Sequence, residues 1–184
     1  MKKITIQNIK DFKNTINPFA TLTAYDFCTA QILDEAGIPL ILVGDSASMV
    51  MYGYDTTVPV SMDEMMLVVK AVTRGAKHSL VVADMPFLSY QPSIEETMKN
   101  AGLFLKEGNA SAVKLEGGKH MYDNIQGLVN IGIPVMGHLG LLPQFEKGKF
   151  KFKGKKVFER NKILNDAKLL RCLIIRSLHD KINF

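Results

Sequence analysis

Four short segments concentrate the residues able to do chemistry. They are Val43-Gly44-Asp45-Ser46, Val82-Ala83-Asp84-Met85-Pro86-Phe87, Val113-Lys114-Leu115-Glu116-Gly117-Gly118 and Val135-Met136-Gly137-His138-Leu139-Gly140. Each is an apolar, β-like run that ends in an ionisable residue and then breaks. Asp45, Asp84 and Glu116 offer hard carboxylate oxygens of the kind Mg2+ prefers. That ion takes one or two carboxylates directly and keeps waters or substrate oxygens, so Glu116 can act through water. Ser46 adds a hydroxyl, Lys114 a cation for an anionic substrate, and His138 an uncharged donor. Plainer readings stand beside these. A lone Asp after a strand is a helix cap or turn former. Lys114 and Glu116 can form a mutual ion pair at a sheet rim, and His138 can be a satisfied strand-end histidine. Two aspartates in the same relative position, together with Glu116, favour the chemical reading.

The elements that must position these groups can be read from spacing. Lys114 and Glu116 are two apart on a strand and share a face, while Val113 and Leu115 point to the other side. Strands are predicted at 19–25, 40–43, 80–83, 112–115 and 133–136. Helices are predicted at 5–13, 29–36, 61–74, 93–107, 119–130 and 158–170. Thr5 and Asp26 are candidate caps, Gly37 and Gly75 are candidate stops, and Ser61/Glu64 and Ser93/Glu96 have capping-box spacing. The stretch 46–59 is expected to be irregular. Strand–helix alternation of this kind implies a parallel α/β sheet with right-handed crossovers, open or closed into a barrel. Ionisable residues at the carboxyl ends of its strands are where such enzymes place their sites. No dinucleotide fingerprint or phosphate loop is present.

The chain has 184 residues, 47% hydrophobic and 22% charged, values of a soluble globular domain. No apolar run approaches the ~18–20 residues of a membrane span, and the amino terminus lacks the pattern of a signal peptide. Cys28 and Cys172 have no metal or redox spacing, which points to a reducing cytoplasm. Cys28 falls on a helical pattern and is expected in the core. Met49, Met51, Met62, Met65 and Met66 are expected to pack around a flap and a helix. His78, His120 and His179 have no partner at metal spacing. Charge is uneven: residues 1–144 hold 11 basic and 14 acidic residues, a balance of −3, and residues 145–184 hold 12 and 4, a balance of +8. The basic end reads as a solvated surface. Nucleic-acid binding would need a motif that is not there.

Taken together, the segments resemble the ketopantoate hydroxymethyltransferase family. The matching text is Thr23-Ala24-Tyr25-Asp26, Val43 to Ser46, Ala83 to Phe87, Val113 to Gly118 and Gly137-His138-Leu139-Gly140-Leu141-Leu142-Pro143-Gln144. The resemblance implies a (β/α)8 TIM barrel of the phosphoenolpyruvate mutase/isocitrate lyase group. It implies transfer of a hydroxymethyl group from 5,10-methylenetetrahydrofolate to 3-methyl-2-oxobutanoate, giving 2-dehydropantoate on the route to pantothenate and coenzyme A. By the same likeness Asp45 and Asp84 bind Mg2+ and Glu116 completes its shell. Asp45, Ser46, Asp84, Lys114 and His138 would contact the oxoacid, whose enolate the metal would stabilise. A cytoplasmic homo-oligomer, a decamer in the family, is also implied.

The likeness thins towards the carboxyl end. Gly148 to Lys155 matches a family element with Lys149 in place of a glycine, and no resemblance is visible beyond Leu170. Residues 172–175 could mimic a sixth strand, but Arg176 stands where the family has its general-base glutamate. No catalytic base is therefore identified, with His138 the one candidate. A full barrel takes ~250 residues. The expectation is a partial barrel of about five to six βα units over 1–170 and a divergent basic tail over 171–184, as in a truncated or frame-shifted longer gene. Two other functions compete: a non-catalytic fragment that binds metal or partners through its basic tail, and a different 2-oxoacid lyase of the same barrel group.

Overall fold

The computed structural model describes residues 2–12, 18–146, 148 and 150–179, the last eight by backbone alone. Five strands form one parallel sheet: β1 (Thr21–Thr23), β2 (Leu40–Val43), β3 (Leu80–Asp84), β4 (Ala112–Glu116) and β5 (Val135–His138). Their spatial order is their chain order, so every connection steps to the next neighbour. This is the winding of successive units of a βα barrel. The helices are α1 (Ile6–Phe12), α2 (Phe27–Glu35), α3 (Ala47–Val50), α4 (Met62–Gly75), α5 (Ile94–Lys106), α6 (Tyr122–Asn130) and α7 (Val157–His179). Short 3-10 turns at Lys119–Met121 and Pro143–Phe145 precede α6 and follow β5.

Local chemistry explains the helix starts. The Asp26 carboxylate accepts the Thr29 N–H at 2.8 Å and opens α2. Ser61 and Glu64 cap α4 reciprocally, as their spacing requires. Ser93 accepts the Glu96 N–H at 3.1 Å to start α5, while Glu96 reaches forward to the Asn100 amide at 3.4 Å. Gly37 takes the positive φ of +80° that ends α2.

The pleat sorts side chains into two layers. Outward, Ile41, Val43, Val81, Ala83, Val113 and Leu115 pack with α4, α5 and α6 in the main core. Inward, Leu40, Leu80, Val82 and Ala112 form a second cluster covered by Ile4, Ile6 and Ile9 from the amino-terminal segment. Register then orders the inner face into tiers. Leu40 pairs with Leu80, and Leu42 with Val82. Val82 pairs with Ala112, and Asp84 with Lys114. Lys114 pairs with Met136, and Glu116 with His138. Apolar tiers thus lie at the amino ends and ionisable ones at the carboxyl ends. An open apolar cavity of about 530 Å3 lies on the inner face against α1 and the lower tiers, away from Asp45, Asp84 and Glu116.

Several expectations need correction. The first strand covers three residues, because Phe19 and Ala20 lie before any ladder pairing. The fifth begins two residues late, after Pro134, which cannot donate to a ladder. The irregular stretch contains the single turn α3, and 119–130 starts as a 3-10 turn. Cys28 is exposed, not core: α2 buries Ala30 and Asp34, leaving Phe27, Cys28 and Ile32 facing outward. Met51 is likewise exposed. Residues 172–175 lie within α7 and form no strand. Lys13 and Lys149 lie outside the described residues, as does the His179 side chain.

Candidate active site at the carboxyl ends of the strands

The three carboxylates named from sequence are all buried: Asp45 is 4% exposed, Asp84 2% and Glu116 1%. Burial without partners would be costly for each, so the question is who the partners are. Asp84, the last residue of β3, meets Lys114 on the adjacent strand, with Nζ to Oδ2 at 2.5 Å. The same oxygen lies 3.4 Å from the Asp45 backbone N–H, which donates to it. The mutual Lys114–Glu116 pair is not formed, since strand register sets Lys114 opposite Asp84 instead. Burial pushes the Asp84 carboxyl up to about 7, opposed by the Lys114 ammonium and reinforced by the Asp45 charge. Burial also raises Asp45, against the pull of a Gln144 hydrogen bond and of Lys114, with Glu116 pushing the same way as burial.

Glu116 ends β4 and faces His138 at the end of β5. His138 Nδ1 stands 3.2 Å from Glu116 Oε1, but the ring is not aligned for a hydrogen bond, so both atoms lack one. Asp84 Oδ1 is orphaned in the same way. The other Glu116 oxygen accepts the backbone N–H of Gln144 at 3.1 Å. Ser46 follows Asp45, and its hydroxyl is 2.7 Å from the Tyr25 hydroxyl. All six residues named from the sequence therefore sit at one end of four adjacent strands.

Two polar residues were missed by sequence reasoning. Gln144 is 5% exposed and Tyr90 fully buried. The Gln144 amide donates to Asp45 Oδ2 and to the Met85 carbonyl, both at 2.9 Å, and accepts from the Tyr90 hydroxyl at 2.7 Å and the Gln91 amide at 3.1 Å. The usable signal was a polar residue directly after the apolar Leu139-Gly140-Leu141-Leu142-Pro143 turn. Tyr90 gives none, because tyrosine is an ordinary core residue.

The remaining histidines serve elsewhere. His78 and Ser79, at the opposite end of the sheet, donate to the buried Asp34 carboxylate. His120 packs edge-on to Phe145. Among the described residues no three His, Cys, Asp or Glu side chains are already gathered as a metal-ligand group. The orphaned Asp84 Oδ1 and Glu116 Oε1 are nonetheless buried hard-oxygen donors without a proton partner, the donor type that fits Mg2+. Among the described residues no helix is long and apolar enough to cross a membrane.

Comparison with known proteins places this arrangement. The family model of ketopantoate hydroxymethyltransferase matches residues 3–173. The 3-methyl-2-oxobutanoate hydroxymethyltransferase of Carboxydothermus hydrogenoformans is 51% identical over 172 residues, 92% of this chain and 62% of that protein. The protein of the same name from Staphylothermus marinus is 52% identical, over 92% of this chain and 63% of its own length. The chain thus spans a little over three fifths of the relatives it matches. Among solved structures, a putative phosphonomutase from Burkholderia cenocepacia superposes with a TM-score of 0.65 at 14% identity, covering 85% of this chain and 66% of its own. A 2,3-dimethylmalate lyase of the PEP mutase/isocitrate lyase superfamily gives 0.63 at 10% identity, over 94% and 61%. Those identities speak to the fold, a partial barrel of that kind, whereas half-identity along nearly the whole chain speaks to descent: this protein belongs to the ketopantoate hydroxymethyltransferase family.

Proposed function

We propose that the chain binds 3-methyl-2-oxobutanoate beside Mg2+ and takes part in its hydroxymethylation, the reaction in its relatives' names, with 5,10-methylenetetrahydrofolate as the one-carbon donor. The observation that carries this reading is the cluster of Asp84, Lys114 and Glu116 at the strand ends, with two buried carboxylate oxygens left free of hydrogen bonds. Asp45 and Asp84 would hold the metal directly, with Glu116 in its outer shell. When bound, the metal supplies Lewis-acid polarisation of the oxoacid.

The chain's own residues do the rest. Lys114 places one positive charge on the inner face, 12% exposed, where it can offset a substrate carboxylate. Its present partner, Asp84, is held in a site that disfavours a lone negative charge. Mg2+ and the oxoacid monoanion together would add one net positive charge to a site where three carboxylates face one ammonium. The Ser46 hydroxyl, oriented by Tyr25, is a donor for a substrate oxygen. His138 keeps about 29% exposure and is the candidate for moving the C3 proton, with the Glu116 carboxylate 3.2 Å from Nδ1. Proton transfer needs a group within hydrogen-bond reach of C3, which is why exchange at C3 is the decisive measurement.

The test is deuterium exchange at C3 of 3-methyl-2-oxobutanoate with folded protein and Mg2+. The expected result is Mg2+-dependent exchange that vanishes in Asp84→Asn and in Lys114→Met. No exchange above the metal-only rate would refute the enolisation step. Adding methylenetetrahydrofolate separates hydroxymethyl transfer from the lyase alternative, which needs no folate.

A further inference from the structure

We propose that Gln144 is the positioning residue of this site, the single residue that, through its side-chain amide and its backbone N–H, fixes the Asp45 and Glu116 carboxylates relative to one another. The proposal rests on the metal reading above and adds to it a residue with no contact to metal or substrate of its own. Gln144 lies in the turn after β5, yet its amide reaches Asp45 after β2 and Met85 after β3, and its backbone N–H reaches Glu116 on β4. One residue thereby ties the carboxyl ends of four neighbouring strands.

The amide has no slack. Both its hydrogens are given, to Asp45 Oδ2 and the Met85 carbonyl. Both its lone pairs are taken, by the Tyr90 hydroxyl and the Gln91 amide. The Tyr90 hydroxyl in turn accepts the Glu116 backbone N–H at 3.2 Å and directs its one hydrogen to Gln144 at 2.7 Å, with the Glu116 carbonyl the longer alternative at 3.2 Å. Turned over, the amide would set oxygen against a carboxylate and a carbonyl, and nitrogen hydrogens against another amide's. A single orientation is therefore enforced, and glutamate, the isostere, cannot supply it. The geometry leaves each carboxylate with one oxygen held. Glu116 Oε1, the oxygen not held, is the one that lacks a hydrogen bond. Outer-shell partners of this kind commonly set metal affinity by about 10- to 100-fold.

The experiment uses the 184-residue chain and Mn2+ as the probe, followed by loss of the free-ion EPR signal. Carboxyl 13C resonances of Asp45 and Glu116 provide a second readout. Wild type should bind Mn2+, and Asp84→Asn should abolish binding, which tests the metal reading by itself. Gln144→Met keeps the side chain's length and removes the amide's four hydrogen bonds, while the backbone N–H to Glu116 stays. It should weaken Mn2+ about 10- to 100-fold and move the Asp45 resonance, whose amide partner is lost, more than that of Glu116, whose backbone partner remains, while leaving the circular dichroism spectrum native. Gln144→Asn, shorter by one methylene, should do the same and serves if the methionine variant does not fold. Affinity within twofold of wild type in a folded variant overturns the proposal and spares the metal reading. If wild type binds no Mn2+, the metal reading fails; resonances unmoved by Gln144→Met would then overturn the positioning role as well, and moved ones would sustain it.

Discussion

Asp34 shows how one buried carboxylate is stabilised by donors alone. Burial would raise it, but the backbone and hydroxyl of Ser79 and the backbone and ring of His78 donate to it and hold it well below the usual carboxylate range. The unfolded chain therefore binds a proton here more readily than the folded one. The resulting stability is fully present above the ordinary carboxylate value of about 4 and is lost as pH falls below it. Asp34→Asn keeps an oxygen for Ser79 and the His78 N–H, so it should cost about 1–2 kcal/mol at pH 7, while Asp34→Ala should cost about 3. Urea titrations between pH 2.5 and 7 check both the order and the flatter acid limb of the variants. At this scale sequence reading was uneven. Asp45, Asp84, Lys114 and Glu116 were legible because each interrupts an apolar strand. The partners were not, because Lys114–Asp84 follows from register between strands and Gln144–Asp45 spans 99 positions.

At the scale of elements, α7 meets the turn after β4 through a close approach. Asp166 accepts the Lys119 N–H at 3.2 Å. A Cβ placed on Gly118 would lie 2.1 Å from its Oδ2. Only glycine leaves room. Gly118→Ala should push α7 off the 117–119 turn and cost about 1–3 kcal/mol. Most of that cost should disappear in an Asp166→Ala background, a non-additivity that paired thermal melts would detect. Helix existence was legible from caps and periodicity, as Ser61 with Glu64 shows. Strand limits were less so: β1 is short because ladder pairing, invisible in a single strand's sequence, decides where it starts.

For the whole molecule, among the described residues each of β1 and β5 has a single strand neighbour, which leaves two sheet edges unpaired there. Beside β1, Leu22, Phe27 and Ile32 are 45%, 44% and 66% exposed. An unpaired edge with apolar neighbours is a template for association. Sedimentation velocity on this chain should show a mass that rises with concentration, and Leu22→Lys should lower it by placing a charge on the edge. A monomer at all concentrations would contradict this. The parallel α/β architecture was legible from four strand–helix repeats.

The inward-facing amino-terminal segment carries a consequence for how the chain comes together. Ile4 donates its N–H to the His78 carbonyl at 2.7 Å, and Ile6 and Ile9 cover side chains from β2, β3 and β4. Residues 4–9 thus have no complete seat until Ala112, more than a hundred residues further on, has been made and paired. Contacts so distant in sequence form late and slowly. The expectation is that this segment closes the floor of the sheet late in folding, and pulse-labelled hydrogen exchange should show the Ile4 N–H gaining protection after the amides of β2 to β4.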